Sequence, residues 1–236
     1  MSWLERTELL LGPEKLEKLK KANVLIVGLG GVGAYAAEMI CRAGVGKITI
    51  ADSDVIEVSN RNRQLAALVS TTGQSKTKIL GNRLLDINPE LKLNLVNEFI
   101  RDEKALQLLK REPFDYVVDA IDTLAPKVFL IHHSLTLGLK IVSSMGAGGK
   151  INPSLVQVAD VSQSYNCKLA KMLRKKLSKL GIKKGFQVVF SPEEVETHAV
   201  RIEEGQNKKS TVGTISYMPP VFGCFAASVV ITELVK

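Results

Sequence analysis

Cysteine is scarce in this sequence, and the cysteines that are present are not paired. The chain has 236 residues and three cysteines, Cys41, Cys167 and Cys224. An odd number without a C-x-x-C pair excludes a disulfide scaffold and a zinc ribbon built from paired cysteines. We therefore expect a protein of a reducing compartment, the cytoplasm.

Long hydrophobic runs are also lacking. The most apolar stretch, Val221 to Ile231, contains Gly223 and is shorter than the roughly 20 residues that span a bilayer. We expect this stretch to form a buried terminal helix. The first residues, Met1 to Arg6, show no basic segment followed by an apolar run, so we expect no signal peptide. The sequence predicts no integral membrane association.

Acidic residues are outnumbered by basic ones, 24 to 32, and the net charge of +8 favours a polyanionic partner. The segment from Lys168 to Lys184 contains no acidic residue, and its basic residues are Lys168, Lys171, Arg174, Lys175, Lys176, Lys179, Lys183 and Lys184. Its apolar residues predict one face of an amphipathic helix: Leu169, Met172, Leu173, Leu177 and Leu180. The basic face is either a nucleic-acid surface or an ordinary solvated one.

Short apolar runs alternate with segments of helical periodicity, which is typical of an α/β fold with a parallel sheet. The predicted strands are Val24 to Val27, Ile48 to Ala51, Leu91 to Leu95, Tyr116 to Asp119, Ile141 to Ser143, Leu155 to Val158 and Phe186 to Phe190. The predicted helices are Gly33 to Ala43, Ser75 to Asp86, Lys127 to Leu137, the basic helix after Asp160, and a last one after Pro219-Pro220. A polar loop, Glu193 to Lys209, precedes that last helix. A hydrophobic content of 45% suffices for a full-sized core, so one domain is expected.

A glycine-rich motif directly follows the first predicted strand and opens the next helix. Gly28-Leu29-Gly30-Gly31-Val32-Gly33 fits G-x-G-x-x-G in the context that this motif requires. The glycines let the backbone approach a phosphate, whose charge a helix N-terminus favours. Asp52 ends the second predicted strand, where a carboxylate can bind ribose hydroxyls. These features predict an adenine nucleotide and leave both ATP and a redox dinucleotide such as NAD open.

A polar loop with basic residues favours one of these nucleotides. Asn60-Arg61-Asn62-Arg63-Gln64 follows the second strand, and Lys76 begins a helix. Two guanidinium groups and an ammonium group are more positive charge than a dinucleotide pyrophosphate needs, and they suit a triphosphate. The cluster therefore favours ATP over NAD. The alternative is an exposed helical lysine together with arginines in surface ion pairs.

Carboxylates end a further buried strand in Asp119-Ala120-Ile121-Asp122. The carboxyl ends of parallel strands face the ligand crevice, and Mg²⁺ takes carboxylate oxygens. Asp122 is the predicted Mg²⁺ ligand. Asp119 is an alternative ligand, and either side chain can instead cap the following helix.

These elements together resemble the superfamily of ubiquitin-activating enzymes and their bacterial ThiF-type relatives, which adenylate a carboxylate with ATP. The resemblance rests on Gly28 to Gly33, Asp52-Ser53-Asp54, Asn60 to Gln64, Lys76, and Asp119 to Asp122. It implies a Rossmann-like, doubly wound, mainly parallel sheet with flanking helices and a C-terminal extension that closes the sheet. The implied single domain spans 1–236, with a nucleotide-binding core at about 22–160, a substrate-facing segment at about 161–212 and a C-terminal strand and helix at about 213–236.

The same resemblance implies roles for individual residues. Asp52 is expected to bind ribose, Arg63 and Lys76 the triphosphate, and Asp122 Mg²⁺. Arg6 matches the arginine that reaches into the partner subunit's ATP site, which implies a homodimer. The implied nucleotide-binding set is Gly28, Gly30, Gly31, Gly33, Asp52, Asp54, Asn60, Arg63, Gln64, Lys76, Asp122 and Thr123, and the implied catalytic set is Arg6, Arg63, Lys76 and Asp122. A monovalent cation is a further candidate cofactor.

The second half of the chain resembles the tRNA threonylcarbamoyladenosine dehydratase family within this superfamily. The matching stretches are Asp122 to Lys127, Gly146 to Pro153, Val156 to Asp160, Phe190 to Glu193 and Gly213 to Pro220. The resemblance implies ATP-dependent cyclisation of threonylcarbamoyladenosine in the anticodon arm of tRNA, through activation of the threonyl carboxylate, most simply as an acyl adenylate. The lysine-rich segment fits the phosphates of a tRNA.

One stretch departs from the family, which usually has Asp-Pro where Cys167-Lys168 stand. Cys167 is thereby a candidate nucleophile that Lys168 and Lys171 would activate, although we expect an exposed or helix-capping thiol. Cys41 and Cys224 are expected in the core. No role is expected for the three histidines, His132, His133 and His198.

Other functions stay open. Adenylation of a sulfur-carrier protein's C-terminus would use the basic helix to dock an acidic partner, although the zinc cysteines usual in such enzymes are missing. A non-catalytic ATP-binding scaffold would serve a cysteine desulfurase or sulfur-acceptor system. The presence of Arg63, Lys76 and Asp122 argues against a catalytically inactive site. An NAD-dependent dehydrogenase is a further alternative.

Overall fold

A seven-stranded sheet runs through the fold, and the apolar runs of the sequence are its strands. The structure is a computed structural model that describes residues 2–202 and 210–236. The strands are β1 (Asn23–Val27), β2 (Lys47–Ala51), β3 (Lys92–Val96), β4 (Tyr116–Asp119), β5 (Ile141–Ser144), β6 (Gln157–Asp160) and β7 (Gln187–Phe190). Their order is β3-β2-β1-β4-β5-β7-β6, and only β6 runs antiparallel to its neighbour. The predicted doubly wound, mainly parallel sheet is confirmed.

Helices precede, connect and follow these strands. Those in the described residues are α1 (Glu5–Leu11), α2 (Pro13–Lys21), α3 (Gly33–Arg42), α4 (Lys76–Ile87), α5 (Glu103–Lys110), α6 (Leu124–Thr136), α7 (Lys168–Ser178) and α8 (Met218–Leu234). Two short strands, β8 (Val200–Ile202) and β9 (Ser210–Val212), form a separate antiparallel pair. The last part of the polar loop predicted from Glu193 to Lys209, residues 203–209, lies outside the described residues.

Helices cover both faces of the sheet because its strands are apolar on both faces. In β1, Val24 and Ile26 join the core formed with α2, α3, α4 and α8. Leu25 and Val27 join the core formed with α5, α6 and α7. Successive side chains of a strand point to opposite faces, and parallel strands that are covered twice are continuous apolar runs. The two helical layers therefore follow from the composition of the strands.

The C-terminal helix α8 is the buried helix predicted from the most apolar stretch. A Cβ atom at Gly223 would lie 2.5 Å from the Val32 carbonyl oxygen, so the glycine lets α8 pack directly against the start of α3. Met218 and Phe222 of α8 are fully buried beside it. Among the helices that the structure describes, α8 included, none combines the length and the apolar content needed to cross a bilayer.

Some elements differ from the prediction. Three helices of the structure, α1, α2 and α5, have no counterpart among the predicted elements, because each is short, with seven, nine and eight residues, and periodicity is a weak signal over so few positions. Pro13 at the first position of α2 was the available signal. Strand β6 begins at Gln157 rather than at Leu155, because Pro153–Leu155 forms a 3-10 turn that is capped by the Asn152 side chain.

The basic segment forms α7, but its apolar face is narrower than predicted. Ala170, Leu173 and Leu177 are buried against the sheet-side core. Met172 is 52% exposed and Leu180 is 45% exposed, which contradicts their predicted place on the apolar face. The exposed surface of α7 is therefore large, and its lysines lie on it.

Two of the three cysteines differ from the prediction. Cys41 is buried in α3 as expected, and burial raises the pKa of its thiol to about 11, so it is unreactive at neutral pH. Cys224 is exposed, and its predicted place in the core is wrong. It follows Gly223 by one position, which is about 100° around the helix from the side that meets α3. Cys167 is only 8% exposed, so the prediction of an exposed thiol is also wrong.

A fully buried ion pair joins β4, β5 and α6. The Lys127 ammonium lies 2.6 Å from Asp119 Oδ2, and both side chains are 0% exposed. Lys127 also donates to the Ser144 carbonyl oxygen at 2.9 Å, and the Ser143 hydroxyl donates to Asp119 at 2.6 Å. Buried charges are tolerated when they are paired and hydrogen-bonded in this way. The pair fixes the start of α6 relative to the ends of two central strands.

We predict that Lys127→Met destabilises the protein strongly, because it leaves the Asp119 carboxylate buried without its cation. The free energy of unfolding should fall by about 3–5 kcal/mol in a denaturant titration followed by circular dichroism. The matched control is Lys140→Met, which removes an exposed lysine that pairs with Glu233 at 3.5 Å and should cost no more than about 1 kcal/mol. Equal, small losses in both variants would contradict the role of the buried pair.

Candidate functional site

The predicted site residues follow the carboxyl ends of neighbouring parallel strands. Gly28 follows β1, Asp52 follows β2, and Asp122 lies three residues beyond the end of β4. The strand order continues from β1 through β2 on one side and through β4 on the other, so the connections diverge between β1 and β4. A ligand crevice forms at such a point in an open α/β sheet. The topology therefore brings these residues to one edge.

Two glycines of the motif are required by close backbone contact. Gly28 has a φ of +90°, and a Cβ atom there would lie 2.7 Å from the Ala120 carbonyl oxygen. A Cβ atom at Gly33 would overlap the Gly28 carbonyl oxygen. These contacts let the loop after β1 lie directly against the segment after β4, and they place the first turn of α3 at the crevice.

The other two glycines differ in their surroundings. A Cβ atom at Gly31 would lie 2.8 Å from Pro219 Cβ, so this position is closed by the start of α8. At Gly30 the nearest atom to such a Cβ would be Gln64 Nε2, at an ordinary 3.8 Å. Gln64 Oε1 is buried and has no hydrogen-bond partner among the described residues. The region between Gly30 and Gln64 is therefore suited to a polar ligand that donates a hydrogen bond to Gln64 Oε1.

Asp52 holds the glycine loop in place. Its carboxylate accepts hydrogen bonds from the backbone N–H of Leu29 at 2.6 Å and of Asp54 at 2.8 Å. Burial raises the pKa of Asp52 above its ordinary value of 3.8, and the Lys76 ammonium and these two donors oppose that shift. Asp52 thus connects β2 to the loop after β1, at the place predicted for a ribose.

Lys76 is buried, which contradicts the alternative of an exposed helical lysine. It is 6% exposed, and its ammonium donates to Asp54 Oδ2 at 2.7 Å. It stands in the first turn of α4, directly after the N-cap residue Ser75. A cation at this end of a helix is opposed by the helix dipole, and its burial costs further free energy. Local costs of this kind are characteristic of functional sites.

The polar loop places its side chains against the glycine motif. Arg63 is half-buried, and its Nη1 donates to the Ser59 carbonyl oxygen at 2.9 Å and to Asn62 Oδ1 at 2.8 Å. Arg63 Cγ would lie 3.4 Å from a Cβ atom at Gly31. Asn60 is buried, and its Oδ1 accepts from the Glu57 backbone at 3.1 Å. Asn60 thus shapes the loop, while Arg63 lies beside the glycines.

The two carboxylates that end and follow β4 differ in their access to a metal. Asp119 is bound to Lys127 inside the core, so its alternative assignment as a metal ligand is wrong. Asp122 is exposed and precedes α6, whose N-cap residue is Thr123, so neither aspartate is the N-cap. The described residues contain no group of three or more His, Cys, Asp or Glu that could hold a metal. A metal at Asp122 therefore needs oxygens from a bound nucleotide, the usual way for Mg²⁺.

Arg6 does not lie at the crevice of its own chain. It is exposed on α1, which contacts the C-terminal end of α3, because Leu4 Cδ1 would lie 2.9 Å from a Cβ atom at Gly44. The glycine motif lies at the other end of α3, about 15 Å away for a helix of ten residues. The structure therefore brings the other predicted residues together and leaves Arg6 apart.

Two buried lysines were given no role from the sequence. Lys127 holds the strand ends as described, and its signal was a lysine inside an apolar helix. Lys150 is 3% exposed, follows the turn at Gly149 and donates to the Glu193 carbonyl oxygen. Burial lowers the pKa of Lys150, and the nearby Cys167 and Glu193 oppose that shift. Both lysines lie beyond the carboxyl ends of β4 and β5.

Cys167 occupies the N-cap position of α7 without capping it. Its side chain makes no capping hydrogen bond, and it is 8% exposed. A catalytic thiol needs access to its substrate and a stabilised thiolate. The burial of Cys167 therefore favours a structural role over the nucleophile.

Known proteins resemble this chain in sequence over nearly its whole length. Residues 4–236 match the ThiF family. The tRNA threonylcarbamoyladenosine dehydratase of Bacillus subtilis is 40% identical over 239 residues, covering 98% of this chain and 94% of that protein. The sulfur carrier protein adenylyltransferase of Thermus thermophilus is 33% identical over 132 residues, covering 56% of this chain and 48% of that protein.

Solved structures resemble the fold as well. The crystal structure of E. coli tRNA N6-threonylcarbamoyladenosine dehydratase in complex with ATP has a TM-score of 0.90 and 32% identity, covering 98% of this chain and 93% of that chain. The corresponding complex with AMP has a TM-score of 0.88 at 32% identity, covering 98% and 92%. Since the match in sequence spans residues 4–236 and the fold places the glycine motif at the expected crevice, this chain belongs to the ThiF family.

Proposed function

We propose that this protein is an ATP-dependent tRNA threonylcarbamoyladenosine dehydratase. The observation that carries the proposal is its 40% identity, over 98% of the chain, to a protein of that name. The E. coli relative of the same name binds ATP and AMP, which supports ATP as the cosubstrate. The sulfur-carrier adenylyltransferase matches only 56% of this chain, so the activation of a carrier protein has less support.

The crevice suits the predicted nucleotide. The phosphates of ATP would lie over Gly30 and the first turn of α3, with Lys76 and Arg63 as their cations. Asp52 would bind the ribose, and Gln64 Oε1 would accept a hydrogen bond from a hydroxyl or amino group of the nucleotide. Mg²⁺ would take an oxygen of Asp122 together with phosphate oxygens, and when bound it neutralises charge that develops on them. A monovalent cation stays a prediction.

Activation of the threonyl carboxylate makes the ring closure feasible. One carboxylate oxygen attacks the α-phosphorus of ATP, and pyrophosphate leaves. The carbamoyl oxygen or nitrogen of the same modified group then attacks the carbonyl carbon, a carbamoyl N–H proton is released to solvent, and AMP leaves with the former carboxylate oxygen. The nucleoside has lost one water in sum. Because the nucleophile is already part of the substrate, proximity supplies much of the rate.

A homodimer is part of this proposal, because Arg6 lies away from its own crevice. Its helix α1 exposes Leu9 by 81% and Leu10 by 83%, and Trp3 before it is 51% exposed. The loop after Gln64 also exposes Val69 by 78%. Exposed apolar clusters of this kind are typical of interfaces. A second copy that covers α1 would bring its own Arg6 to the neighbouring crevice.

The proposal also includes the domain organisation, the tRNA-binding surface, a further protein partner and the location. The chain would act as one adenylating domain over 1–236, with the nucleotide core and the substrate-facing segment as delimited from the sequence. The tRNA substrate would meet the basic surface of α7. A cysteine desulfurase or sulfur-acceptor partner stays a prediction, as does the cytoplasmic location.

The proposed reaction is tested by mass spectrometry of nucleosides from tRNA that carries uncyclised threonylcarbamoyladenosine. After incubation with the protein, Mg²⁺ and ATP, we expect the nucleoside to lose one water, and to lose none without ATP. An unchanged nucleoside, with ATP binding demonstrated, would contradict the proposed substrate. NAD in place of ATP should support no reaction.

The same assay tests the role of Lys76. We predict that Lys76→Ala lowers turnover by at least about 100-fold, because its ammonium would stabilise charge on the triphosphate in the transition state. Lys78→Ala is the matched control, since Lys78 is an exposed lysine on the same helix and should be dispensable. Near-normal turnover by a folded Lys76→Ala variant would remove Lys76 from the catalytic set.

Action of Arg6 across a dimer is tested by complementation. Arg6→Ala and Lys76→Ala should each be inactive alone. Mixed after dissociation and reassociation, they form dimers in which one crevice has both an intact Lys76 and the partner's intact Arg6. A twofold dimer predicts recovery of about one quarter of the wild-type activity. No recovery, with mixed dimers shown by native mass spectrometry, would contradict action in trans.

A further inference from the structure

A second cavity lies at the carboxyl edge of the sheet, at the start of α7. It has a volume of about 370 Å³ and is lined by Asn166, Cys167, Lys168, Lys171, Arg174 and Glu194. We call it the α7 pocket. Its three cationic side chains outnumber its one carboxylate, so the pocket favours an anion. Its volume is within the range of pockets that hold small molecules, and it exceeds what a phosphate group alone requires.

The α7 pocket lies on the same edge as the nucleotide crevice. Its wall includes Val195, which contacts the turn after β5 at the position where Gly149 would carry a Cβ atom. The Glu193 carboxylate accepts from the backbone N–H groups of Ile151 and Asn152, each at 3.0 Å, and holds this wall against the same turn. Strand β5 pairs directly with β4, which leads to Asp122. The turn after β5 is therefore part of the wall of the α7 pocket and follows a strand next to β4.

The cations of the pocket are arranged on one side of a rigid helix. Lys168, Lys171 and Arg174 are spaced by three residues along α7, so their side chains are neighbours. Arg174 is half-buried, and its Nη1 donates to the Ser164 carbonyl oxygen at 2.7 Å. Lys168 and Lys171 are exposed at the pocket. A hydrogen-bonded guanidinium with two exposed ammonium groups matches the charge of a sugar–phosphate backbone.

An exposed aromatic ring stands beside the pocket. Tyr165 is 49% exposed and directly precedes Asn166 of the pocket wall. Its ring meets Phe190 edge-on, with centroids 5.7 Å apart and an interplanar angle of 73°. The buried Phe190 thereby supports a ring whose face can stack on a base. Single-stranded RNA loops are recognised by such stacking next to phosphate contacts, whereas an acidic protein needs no such ring.

We propose that the α7 pocket binds a backbone phosphate of the substrate RNA while Tyr165 stacks on an unpaired base beside it. This inference rests on the proposed function and assigns the surface that presents the modified nucleoside to the crevice. Phosphate binding here acts on the affinity for RNA. It leaves the chemistry at the crevice and the binding of ATP unchanged.

The test compares charge-matched variants at the start of α7 and at its C-terminal end, where Lys179 is the C-cap residue. Lys168→Gln/Lys171→Gln removes two cations from the pocket, and Lys176→Gln/Lys179→Gln removes two exposed cations that do not line it. Equilibrium binding of the substrate tRNA is measured by fluorescence anisotropy over a range of salt concentrations, and kcat and KM are measured by the nucleoside assay. Binding is read separately from turnover, so it reports on the pocket whether or not the nucleoside reacts.

We expect the pocket variant to raise the Kd and KM for tRNA several-fold with kcat and the KM for ATP unchanged. The slope of log K against log salt should become shallower by about 0.7–0.9 for each phosphate that the variant no longer neutralises. The control variant should change the Kd and KM for tRNA, and the salt slope, clearly less. Tyr165→Leu should weaken tRNA binding at least about fivefold with the salt slope unchanged, because stacking releases no counterions.

Equal effects of the pocket and control variants would overturn the proposal, because α7 would then act only through its overall charge. Unchanged tRNA binding in the pocket variant would also overturn it and would point to an acidic protein partner instead. If the wild-type protein binds tRNA in the predicted pocket-dependent way but leaves the nucleoside unchanged, the proposed function fails and the RNA surface stands.

Discussion

The buried pair of Lys127 and Asp119 is the constraint on which the candidate site depends. It is enclosed by β4, β5 and α6, and it uses the carboxylate at the very end of β4 for structure. The chain can therefore leave β4 along a fixed path, with Ala120 against Gly28 and Asp122 at the start of α6. The contact between the glycine loop and the segment after β4 leaves no room for a side chain. A change in the pair would shift both walls of the crevice together.

Several polar residues of the crevice are buried in arrangements that cost free energy. Lys76 is a buried cation in the first turn of a helix, and Gln64 Oε1 is a buried acceptor without a partner among the described residues. Burial raises the pKa of Asp52 above its ordinary value, so removal of its carboxylate from water is a third cost. A bound nucleotide would offset these costs if its phosphates lay beside the Lys76 ammonium and its hydroxyl or amino groups donated to Asp52 and to Gln64 Oε1. These costs support the proposal that the crevice binds a nucleotide.

The proposals assign the binding of ATP to the crevice and the binding of RNA to α7. In the proposed function, the crevice would supply cations for a reacting triphosphate, on the connections that follow central strands. The α7 pocket supplies cations on a surface helix, which suits a large partner that must bind and leave. The turn after β5 adjoins the α7 pocket, and the Glu193 carboxylate accepts hydrogen bonds from the backbone of Ile151 and Asn152 just after this turn. A tRNA held at α7 would place an extruded nucleoside near the carboxyl edge of the sheet, where ATP is proposed to bind.

The sequence predicted those features that depend on residues close together along the chain. The strands, the glycine motif and the position of Asp52 follow from apolar runs and their order, because covered parallel strands and phosphate loops have few solutions. The helices α1, α2 and α5 have only seven to nine residues each, so their periodicity extends over few positions and was not predicted. The exposure of Cys224 and Met172 depends on which side of a helix meets its neighbour, and the partner of Asp119 lies on another element. Such contacts are properties of the tertiary arrangement.

The most direct test of carboxylate activation follows the fate of its oxygen. Substrate tRNA would be prepared with a heavy oxygen isotope in both positions of the threonyl carboxylate, and the products of one turnover with ATP would be analysed by mass spectrometry. Activation as an acyl adenylate predicts AMP that carries one heavy oxygen and a cyclic nucleoside that retains the other. Heavy oxygen in inorganic phosphate, or none in any nucleotide product, would contradict the account.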